Sequence, residues 1–338
     1  MVDIISALQG AAGQAGGADS YWIALLGGAS NDIAFAVAID SSDNIIVAGY
    51  TSSDGAGGTD LLIAKYNSSG ALQWDRALGG ASTDIAYAVA IDSADNIIVA
   101  GRTSSDGAGG NDVLIAKYNS SGTLQWDRTL GGASNDIAFE VAIDSSDNII
   151  VAGYTASDGA GDDDVLIAKY NSSGILQWDR TLGGASNESA NGVAIDSADN
   201  IIVAGRTLSD SAGGYDFLIA KYDSSGVLQW DRNLGGASTD TAYAVAIDSS
   251  DNIIVAGFTQ SDGAGSSDVL IAKLPPDGSG TGTYGSLTYE EVVLTDAAAV
   301  LTDAAAVLTD AAAVLTDAEA VLTDAPAVLT EELIEITL

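Results

Sequence analysis

The sequence predicts an all-β fold, a five-bladed β-propeller of four-stranded blades, followed by a helical tail. Five tryptophans recur at a constant spacing of 52 residues, at Trp22, Trp74, Trp126, Trp178 and Trp230. Each repeated unit holds four strand patterns separated by turns rich in glycine, asparagine, aspartate and serine. A period near 50 with four strands per unit is typical of blades arranged around a channel, because β-solenoids use much shorter periods.

The unit that begins at Asp84 shows the predicted strands, at residues 88–92, 96–103, 112–118 and 123–130. Between them lie the aspartate-rich turn 92–96, the glycine-rich turn 104–110 and the turn 119–122, which reads NSSG. The five units begin at equivalent positions, namely Asp32, Asp84, Asp136, Glu188 and Asp240.

The ends of the repeat region predict how the ring closes. The fifth unit runs to Leu274, meets Pro275 and Pro276, and has no LQW strand of its own. A lone copy of that strand stands at residues 21–27 instead. We therefore expect the N-terminal strand to complete the last blade and remove the open edges.

The repeats resemble the SBBP-type propeller repeat, also called delta-60-like, which occurs in bacterial surface proteins and phage virion proteins. The segments that carry the resemblance read AVAIDSSDNIIVAGYT, DVLIAKYNSSG and LQW, and it covers about residues 21–274. The resemblance implies the propeller fold for that region and says little about chemistry, because propellers host many functions.

The C-terminal part divides into a flexible linker, residues 275–286, and an acidic tail, residues 287–338, in which VLTDAAA recurs with period seven. A strict seven-residue repeat predicts a left-handed coiled coil, and its wide apolar face favours a trimer. A low-complexity spacer with transient helix is the alternative. The predicted oligomerisation residues are the leucines of the repeat, Leu294, Leu301, Leu308, Leu315 and Leu322.

The charge is extreme, with 47 acidic against 11 basic residues and a net charge of −36. Such a surface repels nucleic acid and anionic membranes, and serves solubility or life in salty water. The sequence has no cysteine and no histidine, which removes thiol nucleophiles, imidazole bases and the usual zinc ligands. Residues 1–20, a predicted docking segment, lack the basic start of a secretory signal, and no apolar run is long enough to span a membrane.

Positions that differ between otherwise identical units are the candidates for binding. We predict a sugar-binding role for the residues at the end of the second strand and for one loop tyrosine, with ordinary sequence drift between units as the alternative. These residues are Tyr50, Arg102, Tyr154, Arg206, Phe258 and Tyr215.

The repeated lysines and arginines, such as Lys65 and Arg76, should pair with aspartates such as Asp60 or Asp75. The turn Asp40–Asn44 lacks the glycine and glutamate of a calcium loop and should be capped by its own aspartates. No catalytic residue, metal or cofactor is expected.

The two termini resemble those of marine phage structural proteins, through the opening IISALQGAAGQAGGADSYW, the segment GTYGSLTYE and the TDAAA repeats. The resemblance implies a virion structural protein, such as a head decoration, fibre or tail appendage. Its partners would be other copies of itself, other virion proteins bound through the termini, and a host-surface glycan. The alternative is a propeller lectin or adhesion module of a bacterial surface.

Overall fold

The computed structural model describes residues 22–311 and 316–319, and every regular element in this part of the chain is a β-strand. Strand β1 spans Ala24–Gly27. Five blades follow, one per repeated unit. Blade 1 contains β2 (Asp32–Ile39), β3 (Ile45–Thr51), β4 (Asp60–Tyr66) and β5 (Leu72–Gly79); blade 2 contains β6 (Asp84–Ile91), β7 (Ile97–Thr103), β8 (Asp112–Tyr118) and β9 (Leu124–Gly131). Blade 3 contains β10 (Asp136–Ile143), β11 (Ile149–Thr155), β12 (Asp164–Tyr170) and β13 (Leu176–Gly183); blade 4 contains β14 (Glu188–Ile195), β15 (Ile201–Thr207), β16 (Asp216–Tyr222) and β17 (Leu228–Gly235).

Blade 5 has three strands, β18 (Asp240–Ile247), β19 (Ile253–Thr259) and β20 (Asp268–Leu274). The rest of the described chain forms a hairpin and four short strands. These are β21 (Gly282–Tyr284), β22 (Leu287–Glu291), β23 (Thr295–Ala297), β24 (Thr302–Ala304), β25 (Thr309–Ala311) and β26 (Thr316–Glu319).

Each blade is an antiparallel meander whose core lies between it and the next blade. The first strands of neighbouring blades contact each other, whereas the fourth strand of blades 1 to 4 lies on the opposite side of its sheet, where a strand of the C-terminal tail pairs with it. Side chains from both sides fill each junction; Ile63 of blade 1, for example, packs in one cluster with Val99 and Leu114 of blade 2. Small branched residues suit this packing because they fill a thin layer between two pleated sheets.

The predicted helical tail is wrong, because residues 287–311 run as an extended strap along the outer edges of the blades. The strap pairs antiparallel with the fourth strands in reverse order: β22 with β17, β23 with β13, β24 with β9 and β25 with β5. One seven-residue repeat therefore spans one blade, with three residues in the strand and four crossing to the next. Seven extended residues reach at most about 24 Å.

The strap is held by contacts that repeat with the blades. In blades 2 to 4 the buried tyrosine at the end of the third strand donates a hydrogen bond to a strap aspartate, as from Tyr170 to Asp303 at 2.9 Å. The backbone N–H of Val300 donates to Asp158 of a glycine-rich loop at 2.7 Å. Leu301 packs against the cluster between blades 2 and 3, where it lies opposite Gly132.

These contacts give the leucine repeat a different structural role from the predicted seam. Leu294, Leu301 and Leu308 each pack on a junction between blades. The helix that motivated a trimeric seam is absent from the described part of the tail. Leu315 and Leu322 lie outside the described residues, and the trimer itself stays a prediction.

The prediction that the N-terminal strand closes the ring is also wrong. Strand β1 pairs with β26, with Leu26 opposite Asp317, and not with β20. Among the described residues, blade 5 therefore keeps three strands where the other blades have four. Within these same ranges, no helix is long and apolar enough to cross a membrane.

Candidate functional site

The repeated lysines and arginines bond to groups of their own blade and of the next blade. Lys169 binds Asp144 at 2.8 Å, and its ammonium also donates to the carbonyl of Ser224 in the next blade. The prediction that these lysines pair with aspartates such as Asp60 is therefore wrong in its partner, since Lys65 binds Asp40. Arg76 donates to the carbonyl of Gly122, again in the next blade.

The aspartate-rich turn is capped by its own first residue, as predicted. Asp40 accepts hydrogen bonds from the backbone N–H groups of Ser42 and Asn44, and from the Asn44 side chain. Burial favours the neutral carboxyl, but the Lys65 ammonium and these amides outweigh it and lower the pKa of Asp40 to about 2. Asp43 takes the left-handed conformation, with φ 60°, that closes the turn.

A second set of acidic residues is buried against like charge. Asp164, at the start of the third strand, is fully buried and one of its oxygens has no hydrogen-bond partner. Burial raises its pKa to about 6, and nearby Glu188 of the next blade adds to the shift. Asp60 and Asp216 repeat the arrangement, each with a pKa of about 6. These groups recur at the junctions and belong to the scaffold.

A row of aromatic side chains is the most distinctive surface outside the repeated framework. The first strand of each blade carries a β-bulge, at which the register shifts by one residue. The bulged residues Phe35, Tyr87 and Phe139 meet across the blades, with ring centroids 5.7 and 5.8 Å apart. Phe35 is 50% exposed, and the equivalent Tyr243 of blade 5 is 60% exposed.

The predicted site residues join this row only in part. Tyr50 packs on Phe35 and Tyr154 on Phe139, each with centroids 5.8 Å apart, which extends the row across blades 1 to 3. Phe258 instead packs on Tyr243 in blade 5. In blade 4 the bulged residue is Asn191, whose amide donates to the carbonyl of Ala242.

The two predicted arginines are held by neighbours rather than free. Arg206 lies over the ring of Tyr215, with its guanidinium carbon 4.4 Å from the centroid, and Arg102 donates to Asn111 at 3.1 Å. Burial raises the pKa of Tyr154, the charge of Asp163 adds to the shift and Arg102 opposes it. We refer to Phe35, Tyr50, Tyr87, Phe139 and Tyr154 as the aromatic row.

Sequence reasoning overlooked Phe35, Tyr87, Phe139 and Tyr243. Their signal was present, because each stands three residues after the acidic residue that begins its unit. Alternation along an ideal strand does not reveal a bulge, and the bulge decides where these side chains point.

One ionisable residue beside the aromatic row departs from the repeat. Glu140, beside Phe139, differs from the alanine or glycine of the other units, and burial raises its pKa. The described residues contain no group of three or more acidic, histidine or cysteine side chains that could hold a metal ion.

Comparison with protein families agrees with this architecture. A model of the SBBP β-propeller repeat matches residues 22–55, and a model of the DUF5122 β-propeller, a domain of unknown function, matches residues 41–72 and 94–124. The chain contains β-propeller repeats. The helical tail and the closing strand expected around those propeller repeats are replaced by the strap and the unpaired end of blade 5.

Curated relatives resemble only part of the chain. The regulatory protein FlaEY of Caulobacter vibrioides is 29% identical over 189 residues, which are 46% of this chain and 20% of that protein. The WD repeat-containing protein L264 of Acanthamoeba polyphaga mimivirus, described as uncharacterised, is 23% identical over 231 residues, 49% of this chain and 17% of its own. The chain thus covers a fifth or less of the length of these relatives.

Likeness to solved structures is limited. A Bacteroides caccae protein of unknown function gives a TM-score of 0.33 at 12% identity, over 60% of this chain and 63% of its own. The WD40 propeller domain of Doa1 gives 0.23 at 11% identity, over 68% of this chain and 92% of its own.

Proposed function

We propose that this protein is a non-catalytic structural and binding scaffold of a virion, which presents the aromatic row to a glycan of the host surface. The observation that carries the binding role is the row itself. Phe35 is exposed and the other four rings of the row are half-buried, and neighbouring rings are tilted by 39–59°. Together they form one contiguous, partly exposed apolar surface, and such surfaces mark interaction sites more often than isolated apolar residues do.

The chemistry of the row fits a sugar. Aromatic faces stack on the apolar C–H faces of sugar rings, while the Tyr50 and Tyr154 hydroxyls supply hydrogen bonds to sugar hydroxyls. A net charge of −36 disfavours phosphate-rich ligands over the whole molecule. A neutral or weakly charged polysaccharide is therefore the ligand class we propose.

The repetition of the same ionisable groups in several blades supports a role without catalysis. General acid–base work needs two groups whose environments differ. Here Lys169, Asp144 and Asp164 have equivalents in other blades with the same partners or the same burial. The divergent acid Glu140 has a pKa raised by burial without a second carboxylate contributing to the shift.

The virion part of the proposal rests on the resemblance of the termini to phage structural proteins. Mass spectrometry of purified particles tests it, because a structural protein is present in fixed copy number per particle. Detection on bacterial envelopes, and not in particles, would favour the adhesion module instead.

The binding part is tested with host polysaccharide and two variants of the full chain. Phe35→Ala combined with Tyr87→Ala should reduce binding at least about 10-fold, since each lost aromatic contact is worth about 1 kcal/mol. Tyr284→Ala is the matched control, because Tyr284 is a similarly exposed aromatic outside the row. Equal loss in both variants, or release of oligosaccharide by the wild-type protein, would contradict the proposal.

A further inference from the structure

The two ends of the row of blades carry complementary parts of one blade. In blades 1, 2 and 3 the sheet has five strands, four from the repeated unit and one from the strap. Within residues 22–311 and 316–319, blade 5 has the inner three strands alone, β18, β19 and β20. Strands β1 and β26, equivalent to a fourth strand with its strap strand, form a two-stranded sheet by themselves. Together the two parts have the composition of one complete sheet.

The end of blade 5 exposes apolar side chains that every other blade buries. Val269 and Ile271 on β20 are 80% and 65% exposed, whereas their equivalents in blades 1 to 4 are fully buried. A cavity of about 260 Å3 lies along the same strand, lined in part by Leu270 and Leu274. At the other end, Val37 and Ile39 of β2 are exposed as well.

A hydrogen-bonded pair that joins neighbouring blades is split between these two ends. Ser41 donates from its N–H and hydroxyl to Asp95 of the next blade, at 2.9 and 2.6 Å. The same serine–aspartate pair joins blades 2 and 3, 3 and 4, and 4 and 5. In the described chain, the equivalent Ser249 of blade 5 has no acceptor, and the carboxylate of Asp43 in blade 1 has no donor.

The lysine contacts are split in the same way. The ammonium of Lys65 reaches the carbonyl of Ser120 in the next blade, and its equivalents in blades 2 to 4 do the same. Among the residues that the structure describes, Lys273 of blade 5 binds Asp248 alone. The matching acceptor position in blade 1 is the carbonyl of Ser68, which already accepts a hydrogen bond from the Trp22 indole.

We propose that blade 5 of one copy receives blade 1 and strand β1 of a second copy, so that copies join head to tail. The occupant is a second copy because the junction repeats an interface that the chain already makes four times. The pairing of β4 with β5 supplies the register: Leu61 lies opposite Leu78 and Ile63 opposite Arg76. By equivalence, Val269 lies opposite Leu26 of the second copy and Ile271 opposite Ala24 of the second copy.

The contact joins two different surfaces, blade 5 of one chain and blade 1 of the next, and is therefore heterologous. Blade 1 of the first chain and blade 5 of the last chain stay unpaired, so further chains can add at both ends. The contact lies on the end faces of blades 1 and 5, and of the aromatic row only Phe35 and Tyr50 belong to blade 1. The proposal rests on the incomplete sheets and the split pairs and not on what the row binds.

Sedimentation of the full chain gives the first test. From about 1 to about 100 µM, where interfaces of moderate affinity dissociate, the average mass should rise above that of one chain. About 1 M salt shortens the screening length to about 3 Å and should strengthen association between chains of charge −36. Val269→Asp combined with Ile271→Asp should leave single chains. Val300→Asp, at an equally exposed valine of the strap, should associate like wild type.

A disulfide trap gives the second test, since the natural chain has no cysteine. A mixture of Ser249→Cys and Asp43→Cys proteins should form a cross-linked dimer on mild oxidation, and the double variant a ladder of covalent oligomers. Ser197→Cys with Asp251→Cys is the matched control, because these residues form the same pair inside one chain. A wild-type protein of one-chain mass throughout, or a double variant that closes its disulfide within one chain, would overturn the proposal.

Discussion

Replacing Lys169 by methionine tests whether the repeated lysine holds the junction between blades. The Lys169 and Asp144 side chains are 7% and 2% exposed, and the ammonium also bonds Ser224 of the next blade. Removing one partner of a buried pair leaves an unpaired buried charge, which costs about 3–5 kcal/mol. Asp144 keeps its hydrogen bonds from Asn148 and Ser146, which compensate part of the charge. We therefore expect a loss near the lower limit, about 3 kcal/mol of unfolding free energy.

Lys273→Met is the matched control within the same chain. Lys273 makes the equivalent contact with Asp248 at 2.6 Å, but its side chain is 61% exposed, and in the described part of the chain it bonds no carbonyl of another blade. Because solvent already screens this pair, its removal should leave the unfolding midpoint unchanged. Both variants are compared by urea unfolding at a low protein concentration, at which sedimentation shows single chains.

The pH dependence of the Lys169 variant gives an independent check. Burial by itself would raise the pKa of Asp144, but Lys169 and the amides hold it below the ordinary value of 3.8. The stability from a lowered carboxyl pKa is present above 3.8 and is lost as the pH falls through the folded value. The difference between wild type and variant should thus be largest at neutral pH and shrink below 3.8. Equal losses in the Lys169 and Lys273 variants, or a difference independent of pH, would refute the reasoning.

Three further predictions concern the strap, the buried carboxyls and the net charge. Leu301→Asp should cost about 1–2 kcal/mol and speed hydrogen exchange in β24, while Val300→Asp, on the adjacent exposed side chain, should not. Asp164→Asn should raise the melting temperature at pH 8 and not at pH 4, because a folded pKa of about 6 makes the ionised carboxyl unfavourable only as the pH rises through the window from 3.8 to 6; equal effects at both values would contradict this. Added salt should raise the melting temperature of the wild-type chain by screening its charge of −36, and a fall would show that self-repulsion does not limit stability.

Much of each blade follows from local sequence. The predicted second and third strands of the second unit, 96–103 and 112–118, agree with the observed Ile97–Thr103 and Asp112–Tyr118. The first strand begins at Asp84, four residues earlier than predicted, because a bulge between Ala86 and Ala88 breaks its alternation. Turn residues act through their own backbone preferences, so the repeated turns could be predicted without the tertiary structure.

The aromatic row depended on contacts between units that no single unit contains. The equivalent position of each second strand marked Tyr50 and Tyr154 as divergent, which was visible in the sequence. That these rings pack on Phe35 and Phe139, and that Phe258 lies apart with Tyr243, follows from the bulges and from the spacing of the blades.

The sequence by itself determined the all-β blades, their turns and the seven-residue period of the tail. It did not determine what that period matches, because alanine and leucine at such a spacing suit the seam of a helix as well as a strap. The tertiary structure decided it: the outer edges of the blades offer unpaired backbone groups, and hydroxyls such as Tyr170, at one interval per blade. An extended chain satisfies those groups with seven residues per blade, whereas a helix bonds only its own backbone.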